Sequence, residues 1–316
     1  MNKKVFITGG AGFLGANLVR RLLAEGGFDI YVVERQGTDM WRLQEVKNSI
    51  DITYADITNI DLINQVVSKI KPDIVFHFAS YGVYGAVQKD RAIMELVNER
   101  GTSRIVFAFK ENHIPDLFVF ASTSFVYAPK QGAIAETDAV EPINEYAVTK
   151  IQAEKKLAEI SKEINMNTIC ARLFTPYGYY EDSQRLIPHI VLNALSDKQI
   201  DLVSPSNVRD FIFIEDVLDL LVKMIEKKGD YRGEVFNVGS GQQHMVGQVV
   251  ETVQRVMAKK LNVQFGEKEN LYKEPKNFIA DISKAKTEFN WQPRHSLEQG
   301  IARNVEWFTS NKNLYV

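Results

Sequence analysis

The chain has 316 residues, of which 45% are hydrophobic and 25% charged, with a formal net charge of −2. Such a composition belongs to an ordinary soluble globular protein of one large domain or two with a shared core, and it excludes an electrostatic case for a nucleic-acid or membrane surface. The single cysteine, Cys170, excludes an internal disulfide and suits a reducing, cytoplasmic compartment, and five dispersed histidines offer no pair at metal-ligand spacing.

The chain opens on an apolar run at residues 5–8, too short for a signal peptide, that leads straight into glycines. Similar runs recur at 30–33, 52–55, 74–79, 117–121 and 168–174. Helical periodicity falls between them, at 14–24, 62–70, 93–109 and 146–164. Runs that are apolar throughout predict strands buried on both faces, and the alternation predicts a parallel sheet. The fold class is therefore α/β, a doubly wound parallel sheet of the Rossmann type. After residue 175 the rhythm loosens, with helices predicted at 186–195, 217–225, 246–257 and 297–308 and strands at 211–214 and 235–238. A second, smaller lobe follows. The predicted division is a dinucleotide-binding domain over 1–174 and a substrate-binding lobe over 175–316, with the chain crossing back near 207–235.

The loop between the first strand and helix reads Thr8-Gly9-Gly10-Ala11-Gly12-Phe13-Leu14-Gly15. Gly9, Gly12 and Gly15 allow a tight turn, close approach to a pyrophosphate and close helix–strand packing. The N–H groups at the helix start, around Phe13 and Leu14, together with the helix dipole, then bind the anion. An acid, Glu34, ends the second strand about twenty residues on, as dinucleotide binding requires. Its carboxylate would accept the ribose hydroxyls and repel a 2′-phosphate, which favours NAD. Arg35 beside it could instead pair with that phosphate, so NADP stays open. Asp56 and Ile57 follow the third strand; Asp56 could reach the adenine edge or serve as an ordinary loop cap.

Tyr146 and Lys150 stand four residues apart at the start of a predicted helix and share a face. A phenol needs roughly 4 kcal/mol to ionise near neutral pH. One positive charge about 4 Å away supplies about that much at an effective dielectric near 20. The pair can make a general base. Tyr272 and Lys276 repeat the spacing, but Pro275 lies between them and no strand feeds them, so that match is chance.

The glycine loop, the hydroxyl run Ser122-Thr123-Ser124 and the segment Glu145–Lys150 together resemble the extended short-chain dehydrogenase/reductase family, and within it the NAD-dependent nucleotide-sugar epimerases and dehydratases. His77-Phe78-Ala79 resembles the strand ending that lines the cofactor, and Asn98 with Gly101-Thr102 resembles the N-x-x-G-T helix signature. The segments 209–217, 237–241 and 280–286 are similar to the family's RDFIxVxD, NVGSG and DISKAK stretches. The resemblance covers the whole chain. It implies that Thr123 hydrogen-bonds the reacting sugar oxygen and that Tyr146 moves the proton beside Lys150. Phe78 and Ala79 would line the cofactor, while Ser124 and Arg209 would face the substrate. It also implies a homodimer, since the helices at 93–109 and 146–164 resemble a dimer-forming pair; their apolar residues serve equally as core.

Two positions depart from the family. Ser124 and Phe125 stand where sugar-nucleotide 4,6-dehydratases carry an acidic pair, which argues against elimination of water. Thr175 stands where UDP-galactose 4-epimerases have an Asn on the substrate's phosphates. The expected function is an NAD-dependent nucleotide-sugar epimerase acting at C4 through a 4-keto intermediate. An NAD(P)H-dependent 4-ketoreductase of a nucleotide-linked deoxysugar is the alternative, and a dinucleotide-sensing regulator is a distant third.

Overall fold

The structure is a computed structural model that describes residues 1–82, 90–266 and 276–315. The chain divides into two compact units. One comprises residues 1–127, 140–172 and 222–236, and the other residues 128–139, 173–221 and 237–316.

The first unit carries a seven-stranded parallel sheet in the order β11-β6-β5-β4-β1-β2-β3. These strands are β1 (Lys3–Thr8), β2 (Phe28–Glu34), β3 (Asp51–Tyr54), β4 (Ile74–His77), β5 (Leu117–Thr123), β6 (Thr168–Leu173) and β11 (Glu234–Val238). All four residues of β4 are buried, as are six of the seven in β5, because helices cover both faces of the sheet. The chain winds outward from β1 in both directions, so the order reverses between β1 and β4. Their ends, Thr8 opposite His77, mark the crevice where such sheets bind ligands.

The covering helices are α1 (Phe13–Glu25), α2 (Ile60–Ile70), α3 (Arg91–Met94), α4 (Thr102–Asn112) and α5 (Glu145–Glu163). Local signals start and stop them. Asn59 caps α2 by accepting from the N–H groups of Asp61 and Leu62, at 3.1 and 3.2 Å, and Lys71 ends it in the left-handed conformation at φ 50°. Asn144 caps α5 by accepting the Ala147 N–H at 2.9 Å. Phe6, Phe109 and Phe118 form an edge-to-face stack in the core, with ring centroids 5.7 and 6.1 Å apart.

The regular helix predicted at 93–109 differs from what is observed. A π-helical segment, Glu95–Gly101, runs between α3 and α4. Within it Asn98 is fully buried, and its side chain bonds the Tyr81 backbone and the Thr149 hydroxyl, so the backbone widens where this side chain is held.

The second unit is built from short strand pairs: β7 (Thr175–Tyr177) with β10 (Phe211–Phe213), β8 (Ile200–Leu202) with β13 (Val263–Phe265), and β9 (Val208–Arg209) with β12 (His244–Met245). Around them lie α6 (Leu186–Ala194), α8 (Val246–Val256), α9 (Ser283–Phe289) and α10 (Leu297–Ser310), and α7 (Ile214–Glu226) follows β10. Asp210 anchors this unit. Its fully buried carboxylate accepts the Ser240 N–H and hydroxyl, both at 2.6 Å, the Gly241 N–H at 3.0 Å and the Ala280 N–H at 2.9 Å. Three segments far apart in sequence thus converge on one anion. Among the described residues no helix is long and apolar enough to cross a membrane, and no cluster of His, Cys, Asp and Glu could hold a metal ion.

Asp210→Asn turns one acceptor oxygen into a donor facing buried N–H groups, and should cost about 3 kcal/mol. Urea unfolding of the two proteins measures it, and a loss below about 1 kcal/mol would show that Asp210 is not the anchor.

Candidate active site

The glycine loop leaves β1 beside the end of β4. Gly9 has φ 68°, and a Cβ there would come within 2.6 Å of the Ala79 nitrogen, so only glycine lets the loop pass the β4 terminus. A Cβ on Gly15 would overlap the Gly9 carbonyl. Gly12 is the exposed N-cap of α1, with no side-chain oxygen capping the helix and no acidic residue in its first turn. Phe13 and Leu14 flank it half-buried. An uncapped helix start behind a glycine turn fits a bound pyrophosphate.

Glu34 is buried at the end of β2, and its Oε1 accepts the Ala11 N–H at 2.8 Å. Burial raises its pKa, while the bonds from Ala11 and Thr38 and the charge of Arg35 oppose the rise. Glu34 therefore holds the glycine loop, a task that the sequence pattern did not show. Arg35 is exposed. Asp56 is exposed too, and its Oδ1 accepts the Thr58 N–H and hydroxyl at 2.8 and 2.7 Å, the geometry of a loop cap. Ile57 is core, packed under Gly101. Phe78 and Ala79 lie just past β4, and their N–H groups donate to the Thr8 carbonyl and hydroxyl at 3.1 and 3.2 Å.

From Thr8 a chain of hydrogen bonds crosses the sheet. The buried His77 ring meets the Thr8 hydroxyl at 2.6 Å through Nδ1 and the Thr102 hydroxyl at 2.9 Å through Nε2. Thr102 donates its own proton to the Asn98 carbonyl at 2.6 Å, so His77 Nε2 carries hydrogen and Nδ1 accepts. Burial and the nearby Lys150 charge push the His77 pKa down to about 3, keeping the ring neutral. The Asn98 amide then donates to the Thr149 hydroxyl at 2.9 Å, and that hydroxyl donates to the Tyr146 carbonyl at 2.8 Å. One oriented network thereby connects the glycine-loop strand to the helix bearing Tyr146.

Thr123 ends β5 and is 8% exposed, as is Tyr146 on the first turn of α5. The Thr123 hydroxyl accepts the Phe125 N–H at 3.3 Å, and the Phe125 carbonyl in turn accepts the Ile143 N–H at 3.1 Å, so the strand end and the helix start are tied together. Lys150 is only 1% exposed, with its Nζ 4.0 Å from the centre of the Phe120 ring. Burial lowers its pKa to about 7, against the opposing pull of Glu154 and Cys170. Ser124 is fully buried in the turn after Thr123, and no group of the described residues hydrogen-bonds its hydroxyl. Ser122 instead bonds Glu154. Thr123, Tyr146 and Lys150 thus share the first unit with the glycine loop and Glu34, whereas Thr175 and Arg209 lie in the second. Thr175 donates its N–H to the Asp210 carbonyl at 3.0 Å, and Arg209 Nη1 donates to the Val208 carbonyl at 2.7 Å. Tyr272 of the repeated Tyr–Lys spacing lies outside the described residues.

Residues 5–239 match the model of the NAD-dependent epimerase/dehydratase family. The chain belongs to that family. A UDP-glucose 4-epimerase from Lactobacillus helveticus is 27% identical over 99% of this chain and 99% of its own. A dTDP-4-dehydro-6-deoxyglucose reductase from Escherichia coli is 28% identical over 96% of each. The crystal structure of a UDP-glucuronic acid 4-epimerase from Bacillus cereus, in complex with UDP-glucuronic acid and NAD, superposes with a TM-score of 0.88 at 26% identity, covering 98% of this chain and 99% of that one. The family is NAD-dependent, and the uncapped α1 with its glycine turn and buried acid is a fitting seat for that cofactor.

Because Glu34 holds the loop through Ala11 and is the residue expected to meet the ribose, two substitutions should differ. Glu34→Gln keeps the loop bond but removes the charge, and should narrow the preference for NAD(H) over NADP(H) by roughly ten-fold, the scale of one bond to a charged acceptor. Glu34→Ala should weaken both cofactors as well. Fluorescence titration checks this, and tighter NADP(H) binding by the native protein would mean that Arg35 dominates.

Proposed function

We propose that the protein is an NAD-dependent nucleotide-sugar 4-epimerase working through a 4-keto sugar, with residues 1–174 serving the dinucleotide and 175–316 the nucleotide sugar. The observation that carries this reading is that Thr123 ends β5 and Tyr146 with Lys150 starts α5 in the same unit, while the turn after Thr123 is bonded, through the Phe125 carbonyl, to Ile143 just before that helix. Thr123 holds the C4 hydroxyl of the sugar, Tyr146 removes its proton, and the Lys150 ammonium stabilises the phenolate that makes this possible. The glycine loop, the start of α1 and Glu34 would hold NAD, which would supply reversible hydride acceptance at C4. Tyr146 gives the proton back to the same oxygen, so no group leaves. Ser124 is a buried hydroxyl beside the sugar, and Thr175 and Arg209 bind the nucleotide end.

Water elimination needs an acid at the departing hydroxyl. The turn after Thr123 presents Ser124 and Phe125, neither of which can protonate it. Reduction of a ready-made 4-keto sugar uses the same Thr123–Tyr146–Lys150 chemistry in one direction. The similarity to the E. coli reductase and Thr175 at an epimerase Asn position support that as the second reading. A homodimer fits the exposure of Ile93, Leu96 and Phe107, at 39%, 37% and 39%, along one stretch of helix.

Tyr146→Phe should lower turnover by roughly a hundred- to ten-thousand-fold, the loss expected for a general acid–base, with NAD still bound, while Tyr272→Phe should be nearly silent. Equal losses in the two variants would reject Tyr146. Incubation with a panel of nucleotide sugars and mass spectrometry of the products separates the reactions. Unchanged mass is expected for epimerisation, a gain of two hydrogens marks reduction, and loss of water as the main result would refute the reading of Ser124 and Phe125.

A further inference from the structure

Directly below Lys150, on the next turn of α5, lies a buried ion pair. Glu154 and Arg172 are each 4% exposed. Arg172 grips the carboxylate with two nitrogens: Nη2 reaches Oε2 at 2.6 Å, and Nε lies 3.1 Å from Oε1 and 3.2 Å from Oε2. The Ser122 hydroxyl donates to the same Oε1, one residue before Thr123. The Arg172 guanidinium also stacks over the Tyr127 ring, 4.7 Å from its centre. Four pieces of chain therefore meet at this ion pair: the end of β5, the turn after it, α5 and β6.

Two charges taken out of water in this way contribute little net stability compared with apolar residues of the same volume. The pair's location suggests another use. Its negative member is the one nearer in sequence and on the helix to Lys150, at i+4, while Arg172 stands beyond it on β6. We infer that Glu154 is a positioning residue for the reaction: it keeps the buried Lys150 ammonium charged and, through Ser122, sets Thr123 relative to Tyr146. The inference rests on the catalytic reading of Tyr146 and Lys150 given above.

The groups facing Lys150 leave that task to Glu154. The His77 ring, from β4, is held neutral by burial and its two hydroxyl partners. Cys170, from β6, is fully buried, which pushes its thiol well above the usual range and keeps it neutral. Phe120, from β5, offers only the face of its ring. Arg172 is positive, and Tyr146, four residues before Lys150, is the group that the ammonium serves. Glu154 alone among these groups is an anion in the resting site, and its field opposes the loss of the Lys150 proton caused by burial.

Glu154→Gln by itself strands the Arg172 charge and endangers folding, so the informative protein is Glu154→Gln/Arg172→Met, which removes both charges and keeps the volume. A carbon-13 NMR titration of the Lys150 Cε resonance in the whole protein, assigned with Lys150→Arg, reads the ionisation of Lys150 across pH without substrate and without a reagent having to reach the buried amine. The double variant is expected to fold, with the Lys150 midpoint lowered by roughly half a pH unit or more, because the loss of Glu154, one turn from Lys150, outweighs the loss of the like charge of Arg172 beyond it. The alkaline limb of its kcat/KM profile should move down by the same amount, because less of the lysine is protonated at each pH. A folded double variant with the native midpoint would overturn the inference and leave the pair a purely structural device. Should the double variant fail to fold, Glu154→Asp decides, since it withdraws the carboxylate by one methylene; a lowered midpoint supports the inference and an unchanged one overturns it. A lowered midpoint in a protein that turns over no nucleotide sugar would keep the electrostatic coupling and reject the reaction instead.

Discussion

A lysine ammonium closed off from water is the constraint on which the site turns. Lys150 is 1% exposed, and burial alone drives it toward neutrality. The protein opposes this with a carboxylate one turn along the same helix and an aromatic face below it. Burial and the carboxylate thus pull the amine in opposite directions, and its pKa settles at about 7. A solvated lysine would hold its charge more firmly but would lend less of it to Tyr146, because water screens the interaction.

Holding that lysine in register requires a rigid frame, and polar networks supply it. The line from Thr8 through His77, Thr102, Asn98 and Thr149 to the Tyr146 backbone has every proton assigned to a partner. A buried network satisfied throughout rigidifies its surroundings, whereas a partly satisfied one costs stability. Here it joins the strand that leads into the glycine loop to the helix that carries Tyr146 and Lys150. The π-helical segment around Asn98 is the local distortion that lets this residue serve both sides.

The second unit uses a different economy. Its strands are two or three residues long and contribute few ladder bonds, so a buried anion replaces the sheet as organiser. Four donors around Asp210 offset the cost of burying its charge, and the backbone beside it, Arg209 and Thr175, inherits that rigidity. A buried acid also occurs at Glu181, whose pKa burial raises to about 8 against the charge of Arg185.

The sequence by itself determined what depends on local pattern. Unbroken apolar runs gave away the strands of the parallel sheet, and glycine spacing with a following acid marked the cofactor turn, since both express short-range sterics and burial. The Tyr146–Lys150 spacing was legible for the same reason, and the structure places both residues on the first turns of α5. Strands such as β9 and β12 left no periodic trace, because two residues cannot show a period and their pairing is decided by partners far along the chain. The tertiary structure alone decided the tasks of isolated polar residues. Ser122 reads as an ordinary strand-end hydroxyl until Glu154 is found across from it, 32 positions away. Glu154 reads as one charge among many on a helix until Arg172 closes over it from β6. Asp56 remains the loop cap that its composition allowed, while Glu34 acquires a second bond to the loop. For Ser122, Glu154 and Glu34 the deciding term is the loss of water on burial, which obliges a polar group to find a partner, and that partner is chosen by three-dimensional packing, which no local stretch of sequence contains.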